Sequence, residues 1–284
     1  MTVGCCDRTF VLSGATLATT VVNLLQEPVL RYGVVRFCAR LVVLVGAVSL
    51  GTTVSCGNSV EPQLTGGIKV LFIGNSLTYV NNLPGTLSAL ALTAADTIQV
   101  GMVAEPNFAL IDHYVGGSNA LGEIARGGWN FVVLQQGPST TPINRDSLIL
   151  TAKLFEPRIK AVGATPALYM VWPTRDRIAF FDSARVSYQM AATAVGGVFL
   201  PAGRAWVTAW ASDANLSLYD PDGLHPSPLG TYLAALVIYE RLTGHDARQL
   251  PGTAMVDGRT LNTPESTVRL LQRAAHETNA LYPP

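Results

Sequence analysis

The sequence predicts an α/β protein: a five-stranded parallel sheet held between helices, three layers deep (α/β/α). Three observations predict it. Short apolar runs rich in β-branched residues recur after Gly67, and they are mostly continuous rather than alternating, as strands covered on both faces are. Longer helical patterns separate them, and strand followed by helix, repeated, builds one parallel sheet with helices on both sides. Of 284 residues, 49% are apolar and 13% charged, which excludes a disordered chain. The 19 basic residues balance 19 acidic ones, so no global charge favours nucleic acid as a partner.

The expected strands are Ile68 to Ile73 (IKVLFI), Ile98 to Ala104 (IQVGMVA), Phe131 to Gln135 (FVVLQ), Ala167 to Trp172 (ALYMVW) and Val198 to Leu200 (VFL). The expected helices are Gly85 to Ala95, Asn119 to Arg126, Arg145 to Val162, Phe180 to Ala194, Pro228 to Thr243 and Pro264 to Asn279. Two helix starts are well signalled. Ser227 followed by Pro228 offers a capping hydroxyl and a proline at the first helical position, with Gly244 as the stop, and Thr263-Pro264-Glu265 repeats the pattern. No repeat period interrupts this alternation, so residues 68–284 read as one domain. The first capped helix matters most, because it places His225 in a loop beside the carboxyl edge of the sheet, where open parallel sheets bind ligands.

Residues 1–55 read as an N-terminal extension with an export signal. Arg31, Arg36 and Arg40 precede the uncharged run LVVLVGAVSL (Leu41 to Leu50), which is too short to span a bilayer comfortably. Small and polar residues then lead to Cys56, an arrangement similar to a bacterial lipoprotein signal whose cysteine is acylated. Thr53 stands where such signals usually carry Leu, so ordinary cleavage or an uncleaved anchor are the competing readings. Met1 to Leu30 carry a second weak apolar stretch, and a true start near Val34 or Val35 would remove it. Residues 56–67 read as a tether. All four cysteines, Cys5, Cys6, Cys38 and Cys56, precede the domain, which therefore folds on burial alone. An exported location, with membrane attachment through the N-terminal segment, is the expectation.

Two segments could carry chemistry. The first strand runs into Gly74-Asn75-Ser76, a serine held where its hydroxyl faces the ligand edge. No lysine follows at phosphate-loop spacing, and the G-x-S-x-G elbow is absent. Far downstream lies Asp220-Pro221-Asp222-Gly223-Leu224-His225-Pro226. An aspartate three residues before a histidine can accept the Nδ1 proton and leave Nε2 facing a nucleophile. A solvated turn is the plain alternative for that composition. Metal binding through Asp220, Asp222 and His225 lacks a further ligand, so no metal or other cofactor is expected.

Together these segments resemble the SGNH hydrolases, also called the GDSL esterase and lipase superfamily. Gly74-Asn75-Ser76 stands where the family has Gly-Asp-Ser, and Asp222-Gly223-Leu224-His225 matches its late Asp-x-x-His block. The resemblance runs from Ile68 to about Thr243. It implies a flavodoxin-like fold, a catalytic triad of Ser76, His225 and Asp222, and an oxyanion hole. For that hole the resemblance assigns the Ser76 N–H, the backbone of Gly117 in Gly116-Gly117-Ser118, and a side-chain amide after the third strand. Here the usual Gly-x-Asn-Asp is replaced by Gln135-Gln136-Gly137; Gln135 is the chosen donor and Gln136 the near alternative. Tyr79, Gln136 and Trp172 are candidates to line a substrate pocket. His113, His245 and His276 read as ordinary histidines.

The expected activity is hydrolysis of a small-molecule or glycan ester through an acyl-enzyme. Two alternatives stay open: a non-catalytic exported carbohydrate binder of the same fold, and an acyltransferase using the same triad.

Overall fold

The computed structural model describes residues 67–283; the export segment, the tether up to residue 66 and Cys56 lie outside the described residues. The expected runs form the sheet: β1 (Ile68–Gly74), β2 (Ile98–Ala104), β3 (Phe131–Leu134), β4 (Thr165–Tyr169) and β5 (Val198–Leu200). All five are parallel, in the order β2-β1-β3-β4-β5. The chain first moves outward from β1 to β2, then returns past β1 to β3 and continues to the far edge. Ligands of such doubly wound sheets bind where that direction reverses, at the carboxyl ends of β1 and β3. Gly74 pairs with Ala104 and Ile73 with Leu134, so these strand ends lie level with one another.

Continuous apolar runs became the centre of the sheet because helices cover both faces. Val70 to Ile73, Val132 to Leu134 and Ala167 to Tyr169 are buried throughout, whereas the edge strand β2 is only partly covered. The helices are α1 (Ser76–Tyr79), α2 (Leu83–Leu92), α3 (Leu110–Asp112), α4 (Ala120–Ala125), α5 (Pro142–Lys160), α6 (Phe181–Val195), α7 (Ala202–Ser212), α8 (Pro228–Thr243) and α9 (Glu265–Ala280). In one group α4 packs on α5 and α5 on α6; in the other α2 packs on α8, and α7, α8 and α9 pack together. A small antiparallel pair, β6 (Met255–Val256) and β7 (Arg259–Thr260), lies near the C-terminal end. Among the described residues no helix is long and apolar enough to cross a membrane.

Several boundaries differ from expectation for identifiable reasons. Helix α8 begins and ends as its signals predict: the Ser227 hydroxyl accepts the Gly230 N–H at 3.2 Å, and Gly244 takes a left-handed φ of 75°. Helix α5 starts three residues early, at Pro142, because Thr141 supplies a capping hydroxyl to the Asn144 N–H. The expected Thr263 cap is not made; α9 follows Pro264 with no side-chain cap. The run Ala167 to Trp172 is not one strand. After Tyr169 the chain leaves the ladder, although Met170, Val171 and Trp172 stay fully buried. Helix α7 had no expected counterpart: its N-terminus lacks a side-chain cap and contains Gly203, where a Cβ would meet the Val171 carbonyl at 2.7 Å.

Candidate active site

Ser76 follows the end of β1 as the first residue of the single turn α1, and Asn75 builds that turn. The Asn75 Oδ1 accepts the Leu77 N–H at 3.1 Å, and its Nδ2 donates to the Phe108 carbonyl at 2.9 Å. Ser76 itself is half-buried. Among the described residues neither its N–H nor its hydroxyl makes a hydrogen bond.

Gln135, the residue chosen as oxyanion donor, lies directly beneath this turn and is committed to it. Its Oε1 accepts the Asn75 N–H at 2.9 Å and the Thr78 hydroxyl at 2.7 Å. Its Nε2 donates to Asn75 Oδ1 at 3.0 Å and to the Gln136 carbonyl at 2.5 Å. Both N–H groups of the amide are spent, so Gln135 braces the Ser76 turn and has no proton free for an oxyanion. Gly74 makes room for it: a Cβ there would stand 2.4 Å from Gln135 Oε1 and 2.5 Å from Thr78 Oγ1. The alternative donor, Gln136, is also buried and engaged. Its Oε1 accepts the Leu110 N–H at 3.3 Å and its Nε2 donates to Ser139 Oγ at 2.9 Å.

Gly117 is exposed and ends a π-turn, His113–Gly117, in the loop after β2. Its neighbour Gly116 has φ 97° and open space where a Cβ would be, whereas a Cβ on Gly117 would meet the Asp112 carbonyl at 2.7 Å and the Phe108 ring at 2.8 Å. His113, read from sequence as ordinary, is fully buried and bridges two segments of the site. Its Nε2 lies 2.8 Å from the Gly74 carbonyl and its Nδ1 2.7 Å from Ser118 Oγ.

The second half of the site is the loop Asp220–Pro226. It closes on itself through the Asp220 N–H to the His225 carbonyl at 2.9 Å and turns at Gly223, whose φ is 71°. The Asp222 carboxylate organises everything inside. Its Oδ1 accepts the N–H groups of Leu224 at 2.8 Å and His225 at 2.9 Å, and its Oδ2 lies 2.5 Å from His225 Nδ1. The bond to His225, and after it the one from Leu224, holds the Asp222 pKa down at about 2. An ionised carboxylate can only accept, so Nδ1 carries the proton and Nε2 of a neutral ring presents its lone pair. That Nε2 is buried and has no hydrogen-bond partner. The structure thus joins Asp222 to His225, and it does not hydrogen-bond His225 to Ser76.

Three contacts hold this loop in place. Trp172 Nε1 donates to the Leu224 carbonyl at 3.0 Å, the Arg175 N–H to the Gly223 carbonyl at 2.8 Å, and Asn81 Nδ2 to the Pro226 carbonyl at 2.8 Å. The last contact ties the segment just after Ser76 to the residue just after His225. Of the expected pocket residues, Tyr79 is half-buried beside the nucleophile, Gln136 is buried, and Trp172 is fully buried and stacked on Trp206 at 3.7 Å between ring centroids. Trp172 is therefore a core residue that supports the histidine loop and does not line a pocket. An open depression of about 450 Å³ flanks the loop, lined by Thr174, Arg175, Asp176, Pro221, Asp222 and Gly223.

Sequence reasoning missed Arg175 and His113, and gave Asn81 only as a candidate pocket residue beside Tyr79. Asn81 and Asn82 both adopt left-handed backbone, with φ 56° and 49°. An Asn-Asn pair is a readable signal for that conformation. Arg175 and His113 act on backbone carbonyls, which no residue pattern reports.

A doubly wound α/β sheet with a serine turn at the end of its first strand, and an Asp-x-x-His loop ahead of a late helix, defines a class of hydrolase folds. A solved protein from Slackia heliotrinireducens described as an SGNH hydrolase is 27% identical, with a TM-score of 0.53, over 62% of this chain and 99% of its own. A DUF4886 family protein from Bacteroides uniformis is 20% identical with a TM-score of 0.63, over 76% of this chain and 96% of its own, and shares the fold. No family model and no curated protein matches the sequence. The chain shares the fold of these SGNH-type structures.

Proposed function

We propose that this chain is a serine hydrolase of carboxylic esters, with Ser76 as nucleophile, His225 as general base and acid, and Asp222 as the group that orients the imidazole. The observation that carries the reading is the imidazole itself. Its Nδ1 is engaged by a carboxylate anchored on two backbone N–H groups, and its Nε2 is left buried and unpartnered. A solvated turn has no reason to build such a base, and catalytic hydrogen bonds often tighten only when substrate is bound.

In this mechanism Nε2 takes the Ser76 proton as Oγ attacks the ester carbonyl carbon. The tetrahedral intermediate collapses when the imidazolium returns that proton to the departing alkoxide, leaving an acyl-serine. Water, deprotonated by the same Nε2, then attacks the acyl-enzyme and releases the acid. The unpartnered Ser76 N–H is the first oxyanion donor, and the Gly117 backbone N–H is the second. Gln135 supports the donors and does not act as one.

The proposed substrate is a small-molecule or glycan ester, and the export-type pattern of residues 1–55 supports action outside the cytoplasm, with Cys56 as the point of attachment if the segment is lipidated. The test is hydrolysis of a small aryl ester. Ser76→Ala is expected to lose about 10⁴-fold or more in kcat with the fold retained, as removal of a nucleophile does. Equal rates for Ser76→Ala and wild type would overturn the reading.

A further inference from the structure

We infer that His113 is a positioning residue that holds the Gly116–Ser118 loop at a fixed place relative to Ser76. This inference rests on the esterase reading above and assigns a role that the triad and oxyanion residues do not cover.

His113 is completely buried, and each ring nitrogen meets a group on a different segment of the site. The Nε2 is 2.8 Å from the Gly74 carbonyl, two residues before the nucleophile, and Nδ1 is 2.7 Å from the Ser118 hydroxyl, directly after Gly117. A carbonyl oxygen can only accept, so Nε2 carries the proton. In the neutral ring Nδ1 is then an acceptor and the Ser118 hydroxyl must donate to it. The polarity of the bridge is set at both ends. Burial lowers the His113 pKa and keeps the ring in that neutral form, outweighing the nearby carboxylates of Glu105 and Asp112.

The ends of the bridge are themselves anchored. The Gly74 carbonyl also accepts the Glu105 N–H at 3.1 Å, and Ser118 Oγ accepts the Ala120 N–H at 3.2 Å, at the start of α4. Phe108 packs its ring on His113 at 5.1 Å between centroids, while its carbonyl takes the Asn75 amide. In the glycine loop itself Gly116 and Gly117 have no side chains, both are exposed, and Val115 beside them is 73% exposed, while the preceding Tyr114 packs edge-on against Phe155 at 5.2 Å between centroids. The loop's position relative to the nucleophile turn is set by His113 from one side and by the Asn75 contact to Phe108 from the other. Misplacement of a donor by about 1 Å can cost on the order of 10² in rate.

The test compares His113→Ala, His113→Gln and Ser118→Ala, with kcat and KM expressed per active site titrated by a fluorophosphonate. That normalisation removes any loss of folded protein. His113→Ala is expected to lose about ten- to a hundredfold in kcat with KM nearly unchanged. His113→Gln, which keeps a donor for the Gly74 carbonyl, is expected to recover most of that loss, and Ser118→Ala to show a smaller fall of the same kind. Values of kcat per titrated site equal to wild type in His113→Ala and Ser118→Ala would overturn the inference while leaving the esterase reading intact. A wild-type protein that neither labels nor turns over would overturn both.

Discussion

The two halves of the candidate site are built in opposite ways. The nucleophile turn is braced from below by buried amides: Gln135 and Asn75 exchange hydrogen bonds, and Gln135 is only 1% exposed. The histidine loop stands at the surface, with the Asp222 side chain 46% exposed, and is held mainly by backbone contacts and one carboxylate. A buried polar network is costly to leave half-satisfied, whereas an exposed carboxylate is rehydrated when its partner is removed. Damage to the amides that brace the first half should therefore appear as lost stability, and damage to the second half as lost chemistry in a folded protein.

The sharpest way to break this contrast is Asp222→Asn. An amide at that position can no longer fix the Nδ1–H tautomer or stabilise the imidazolium, and kcat/KM is expected to fall on the order of 10² to 10⁴ while thermal stability near neutral pH stays close to wild type. A large drop in melting temperature would show instead that the loop carries the fold. Acid titration adds a signed check. Because the folded pKa of Asp222 is depressed from 3.8 to about 2, its stabilising contribution is present above 3.8 and lost as the pH falls through about 2. With the carboxylate 46% exposed, that contribution is small, so wild type and Asp222→Asn should differ little at neutral pH and not at all at the acid end of that window.

The smaller effect on chemistry, and the larger on folding, belongs to Gln135→Ala. Removing that side chain leaves the Asn75 N–H and the Thr78 hydroxyl buried without a partner, and a loss of about 2 to 4 kcal/mol in unfolding free energy is expected. Denaturant titration reads it. A stable Gln135→Ala protein with a kcat reduced 10²-fold or more would restore Gln135 as an oxyanion donor and remove the distinction between the two halves.

Much of the fold was legible because buried parallel strands are written as continuous apolar runs: β2 and β5 match their expected bounds, and β1 extends one residue further, to Gly74. What failed has a physical cause. Met170 to Trp172 are as apolar as a strand but bend away to meet α7 and the histidine loop, a difference that burial alone does not encode. Helix α7 hides behind Pro201 and Gly203, residues that usually signal a break. At the site, the local Asp222–His225 pair was legible because the two residues are three apart in one turn. Gln135 was legible as a residue and misread as to role, since the direction of its amide is decided by Asn75 and Thr78, about 60 residues away in sequence. His113 left no trace, because its partners are a backbone carbonyl 39 residues earlier and a serine hydroxyl.

The central claim is that His225, held by Asp222, activates Ser76. Labelling with a fluorophosphonate followed by peptide mapping tests it most directly. A single adduct is expected on the peptide containing Ser76 in wild type, none in Ser76→Ala, and much slower labelling in His225→Ala. Labelling at another residue, or labelling that survives Ser76→Ala unchanged, would contradict it.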